Sequence, residues 1–316
     1  MPDVVLLVKA IAIGATVAAA VLWLADRAAK WLSGNGAPWT GVYWCWAIGA
    51  GVIAASGATD QWPRWPALED RARFLTLLLP LTVLVETVAV ALRSRRVAWS
   101  LRPGLAAVAT PILLYNTVYL ADLNGQGSAE WSLAKAAFVL CGLAILLTAL
   151  WTSLCALQAK AGAQVVHWLL GVDALATATT VMLSGYFRAG VLGLSLTGAI
   201  FGATFVSTLL PQRPTAGGAV GVSVVGIFSI AIMGRFFGVL SSGLMLCLLL
   251  APLLAWAAEL PPLRTLSRGW RTSLRVACVV IPLVIVVIVA QRKFTEASAA
   301  RSPTNRMQTT PTVPAK

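Results

Sequence analysis

The chain has 316 residues, of which 59% are hydrophobic and only 11% charged, with a net charge of +13 and a mean hydropathy of +0.83. A water-soluble domain carries roughly a quarter of its residues as charges, so this composition excludes a soluble globular fold. The positive charge does not mark a nucleic-acid-binding protein, because Lys and Arg lie between apolar runs, where membrane proteins place their orienting charges.

The apolar runs predict about ten spanning helices, with nine to eleven allowed, near residues 4–25, 39–57, 74–92, 104–121, 132–154, 164–183, 189–209, 218–234, 239–258 and 274–291. Each is close to the ~20 residues that cross a bilayer as a helix. Their continuity argues against a transmembrane β-barrel, whose strands alternate apolar and polar residues. The expected fold is therefore an all-α polytopic bundle forming one integral membrane domain over 1–291. A polar, Thr- and Pro-rich tail over 292–316 is expected to be disordered. The N-terminal stretch lacks a basic n-region and a small-residue cleavage site, so it reads as a retained first helix and not a signal peptide.

Orientation follows from the loops. One alternating set carries Arg27, Lys30, Arg93, Arg95, Arg96, Arg102, Lys160, Arg213, Arg264, Arg268, Arg271 and Arg275. The opposite set carries Arg64, Arg71, Arg73, Lys135, Arg188 and Arg235. The positive-inside rule assigns the richer set to the cytoplasm, facing anionic headgroups, with both termini outside. Arg292 and Lys293 resist this assignment, since they follow the last helix on the outer side. Two basic segments resemble each other, 93–103 and 264–275: each has several Arg, one Trp and a Ser-Leu-Arg ending. Interfacial Arg and Trp suffice to explain both. Most of the other tryptophans also lie near predicted helix ends, as an aromatic belt requires.

Ionisable groups inside spanning helices are costly and usually face protein or a water-filled cavity. Lys9 is near the start of the first helix and can snorkel outward. Glu86 is deeper, about 10 Å inward of Arg93 along the axis, too far for direct pairing with that basic cluster. Asp173, in the sixth helix, is expected at similar depth, roughly 13 Å from its cytoplasmic start. If the two acids met, one would hold a proton or a cation would bridge them. His167, the single histidine, is placed near the cytoplasmic mouth of the same helix, turned away from Asp173. In the fourth helix Pro111 can bend the backbone, and Tyr115 and Asn116 are expected near or beyond mid-membrane as interhelical hydrogen-bonding groups. Gly198 and Gly202 have the GxxxG spacing of close helix packing. Glu86, Asp173, Asn116, Tyr115 and His167 form the candidate intramembrane polar site.

The five cysteines form no CxxC pair and read as small packing residues. No metal site, cofactor motif, HExxH or nucleophile elbow is present, and an intramembrane lipid-modifying enzyme is accordingly disfavoured. The remaining classes are a small-solute or ion transporter, which submerged acids favour, and a noncatalytic scaffold or envelope-assembly component.

Overall fold

The structure, a computed structural model, describes residues 4–33, 40–63, 65–92, 94–121, 131–210, 217–263 and 267–300. It is built of ten long helices: α1 (Val4–Ser33), α2 (Thr40–Ala58), α3 (Asp70–Ala91), α4 (Arg95–Leu114) and α5 (Leu133–Ala161), then α6 (Ala163–Leu183), α7 (Phe187–Leu209), α8 (Gly217–Phe236), α9 (Ser242–Glu259) and α10 (Arg268–Ala300). All ten are long and apolar enough to cross a membrane, and each coincides with one predicted span. No strand occurs among the described residues. Over the described residues the protein is a ten-helix, multi-pass all-α membrane bundle.

Local chemistry sets the helix ends. Ser94, Ser132 and Ser241 cap α4, α5 and α9, each hydroxyl accepting from the backbone N–H three residues on, which satisfies a donor the helix leaves open. Gly162, at φ 92°, forms the whole connection between α5 and α6. That left-handed conformation suits glycine.

Successive helices run antiparallel. Contacts join the start of α3 to the α6–α7 turn and the chain after α4 to the end of α8. These define an N-terminal face that also holds the start of α1 and the end of α10. The opposite face holds the α3–α4 and α9–α10 turns.

The core lies along α6, α7 and α8, while α1, α5 and α10 keep more of their surface outward. Against α7, α1 packs backbone to backbone. A Cβ built on Gly198 would lie 2.2 Å from the Ile11 carbonyl oxygen, and one on Gly202 would lie 2.1 Å from that of Ala15. The GxxxG spacing thus serves close helix approach.

Two spans are not uniformly α-helical. In α3, residues Phe74–Leu78 form a π-helical stretch just before Pro80. In α9, the helix narrows to 3-10 geometry over Ala251–Glu259, with Pro252 at the junction. Proline has no N–H, so the carbonyls of Thr76 and Leu248 lose their usual i+4 donors.

Three expectations change. Helix α4 starts at Arg95 and stops at Leu114, so the basic segment read as a loop is mostly its first turns, and 115–121 is not helical span. Helix α10 continues to Ala300, so the tail does not begin at 292. Its 33 residues extend about 50 Å against a hydrocarbon thickness of ~30 Å. Arg292 and Lys293 therefore sit on an exposed helical extension past the apolar run. The tail over 301–316, the basic residues Arg64, Arg93, Arg213 and Arg264, and the acidic loop between α4 and α5 lie outside the described residues.

Candidate functional site

Glu86 is fully buried and is held by Arg102. The guanidinium donates from Nε to Oε1 at 2.8 Å and from Nη2 to Oε2 at 3.0 Å. Two parallel bonds of this kind neutralise the acid and fix its plane. Arg102 also lies over the Trp151 ring, 5.5 Å from its centroid, and Gly221 of α8 closes the other side, leaving no room for a Cβ beside Glu86 Oε1. The basic segment is therefore not only an orientation signal, because its last arginine reaches into the bundle. The second similar segment behaves alike: Arg275 of its Ser-Leu-Arg ending pairs with Glu259. In both cases acid and arginine sit on the two arms of a helical hairpin.

Asp173 has a different setting. It is 1% exposed, and its Oδ1 has no hydrogen-bond partner. It borders a cavity of about 10 Å³ whose other walls are Leu150 and Leu154 of α5, Leu170, Val224 and Ile227 of α8, and Leu249 and Pro252 of α9. That volume is at the lower limit for one water molecule. The 3-10 junction of α9 thus abuts a carboxyl that, unlike Glu86, has no cation beside it. The two intramembrane acids, whose adjacency the sequence leaves open, occupy separate surroundings: Glu86 is held by Arg102, and Asp173 borders apolar walls.

His167 is also fully buried. Its Nδ1 lies 2.5 Å from the Ala163 carbonyl oxygen, and its ring packs on Trp44 at 4.7 Å between centroids. It is a packed residue near the opposite face, not part of the Asp173 cavity. Tyr115 and Asn116, expected near or beyond mid-membrane, lie past the last residue of α4. Both follow the end of α4 at the N-terminal face, Tyr115 70% exposed and Asn116 in the left-handed region at φ 53°.

Asn116 does line a cavity. Two adjoining hollows of about 530 and 590 Å³ open at the N-terminal face and share Leu68, Glu69, Arg71 and Arg188. Their wall is a polar clamp that includes Arg71, Arg73 and Arg188 of the outer basic set. The Tyr186 hydroxyl lies 2.7 and 2.9 Å from the two Asp70 carboxylate oxygens. Burial, and then the Asp70 charge beside it, pushes the Tyr186 phenol above its usual range. Arg73 donates to the carbonyls of Leu113 at 2.7 Å, Ala67 at 3.2 Å and also Leu68, pinning the loop before α3 to the end of α4. Arg71 pairs with Glu69 while its buried Nε stays unpartnered. Of the candidate residues, Glu86 is in a neutralised ion pair, Asp173 is a lone buried acid, Asn116 lines a polar basin at one face, His167 is packed on Trp44 and Tyr115 is exposed.

Among the described residues, no group of three or more His, Cys, Asp or Glu could hold a metal ion. All five cysteines are free. Compared with known proteins, the chain matches no family model, no curated protein and no solved structure, so its own residues carry the functional reading.

Proposed function

We propose that the protein is a small-solute or ion transporter of a bacterial-type inner membrane, with a proton- or cation-linked acid at Asp173. The observation that carries this reading is Asp173 itself, a carboxyl within a spanning helix with neither counter-charge nor hydrogen-bond partner at Oδ1. An isolated charge so placed is expensive, and structural need does not explain it, since a leucine would fill the same apolar walls. The basin lined by Arg71, Arg188, Asp70 and Tyr186 supports the reading as a mouth where a small polar solute is admitted.

The test is capacitive-current recording on proteoliposomes of the full chain, challenged with amino acids, sugars, organic acids, nucleosides and monovalent cations at several pH values. At least one class is expected to give a current, which Asp173→Asn removes while the variant stays folded. A protein that gives no current with any class, and that copurifies with a defined partner, would instead be a membrane scaffold.

A further inference from the structure

We infer that the linked ion is a proton, that Asp173 binds it, and that it arrives from the N-terminal face along one stripe of α6. The transporter reading gives this site its purpose, but its chemistry stands separately. Positions 173, 177, 180 and 184 are spaced by four, three and four residues, which aligns them on one helix face. At the outer end, Thr180 and Ser184 line a cavity of about 150 Å³ between the end of α6, the turn at 239–241 and the extension of α10. At the inner end is the small cavity of Asp173.

The hydroxyls between them belong to a minority of fully buried hydroxyls without a partner, which among the described residues also includes Thr110 and Ser223. Buried Thr82, Ser195, Thr197, Thr204 and Ser229 each donate to the carbonyl four residues back, the usual way to satisfy such a group in a helix. Thr177 and Thr180 are equally buried, both at 0% exposure, yet Oγ1 of each has no partner. Three unpartnered oxygens, those of Thr177, Thr180 and Asp173, thus follow one another from the outer cavity to the acid. The axial distance from Asp173 to Thr180 is about 10 Å, which two or three waters linked by ~2.8 Å hydrogen bonds cover.

A proton fits this site better than a metal ion. Hard cations take six or so oxygen ligands, whereas the walls around Asp173 supply leucine, valine, isoleucine and proline side chains. Among the described residues, no titratable group besides Asp173 lines that cavity from α5, α6, α8 or α9. Lys293 of α10 is the one charged group lining the outer cavity. The step is a simple transfer. A carboxylate oxygen of Asp173 takes a proton from the innermost water, whose own proton is replaced along the chain, and release runs the same bonds in reverse with no redox change.

Infrared difference spectroscopy of the full chain in lipid nanodiscs tests this. At neutral pH the wild type should show a carboxylic C=O band that Asp173→Asn removes and that shifts in D₂O. Joint replacement Thr177→Val and Thr180→Val should slow that shift about tenfold or more, and Thr→Ser at both sites should restore it. Exchanging potassium for sodium should leave the band in place. An absent band, an unslowed shift in the valine pair, or loss of the band in sodium would each overturn the proposal. A protonated, exchanging Asp173 in a protein that moves no solute would remove the transporter reading alone. Transport with an unslowed valine pair would remove the path alone.

Discussion

Glu86 and Asp173 are both carboxylates inside spanning helices, yet their neighbours give them opposite duties. Glu86, Arg102 and Trp151 form a satisfied unit, and removing one partner of a buried pair leaves the other charge uncompensated. Arg102→Ala should therefore destabilise the protein by about 3–5 kcal/mol, measured by denaturant unfolding in micelles, while the double change Glu86→Gln with Arg102→Met should recover most of that loss. A double variant no better than Arg102→Ala would show that the pair's geometry, not its charge balance, matters. Gly221→Ala should cost about 1–3 kcal/mol in the same assay, because its Cβ would fall 2.5 Å from Glu86 Oε1 and 2.6 Å from the Trp151 ring. The sequence singles out both acids as costly, but it cannot say which one is neutralised. The pairing of Glu86 was still partly legible: it lies five residues before the end of α3, and Arg102 seven after the start of α4, near-mirror positions about a tight turn. Counting Arg102 as loop charge hid that signal.

At the scale of elements, the two proline-broken helices carry the information that periodicity misses. Hydropathy identifies the ninth span, but not its change from α to 3-10 geometry at Ala251 beside Asp173. Pro252→Ala restores an N–H to the Leu248 carbonyl, so amides after position 251 should exchange more slowly with deuterium; unchanged protection would assign the 3-10 geometry to packing. The contact of α1 with α7 depends on backbone approach at Gly198 and Gly202. Gly202→Ala should separate these helices and lower the unfolding midpoint, by more than an alanine placed at Gly142, where a Cβ meets nothing within 4 Å. The end of α4 at Leu114 was not readable from composition, since the apolar character of the chain continues past it. Asn116 consequently belongs to the basin's rim, and Tyr115 is exposed beside it past the end of α4.

For the whole molecule, ten antiparallel passes put the first and last described helix ends on one face. The count of basic residues predicts that this face is outward. In a variant lacking the five native cysteines, single cysteines at Val5 and Ser298 should react with an impermeant maleimide added outside intact cells, and one at Gln158 should react only after permeabilisation. The reverse pattern would invert the bundle and make the basin cytoplasmic.

The sequence by itself determined that this is a membrane protein of about ten spanning helices, nine to eleven, because hydrophobic length is a local property that each segment carries alone; the structure fixes ten among the described residues. The sequence also identified Glu86 and Asp173 as the acids that need an explanation, because the cost of an intramembrane charge does not depend on knowing its neighbours. Only the tertiary structure decided that Arg102 neutralises the first, that apolar walls surround the second, and that Asp70, Arg71, Tyr186 and Arg188 gather into a basin. Those outcomes depend on which helices are adjacent and how they are rotated. In a chain whose helices are apolar on nearly every face, periodicity leaves that choice open.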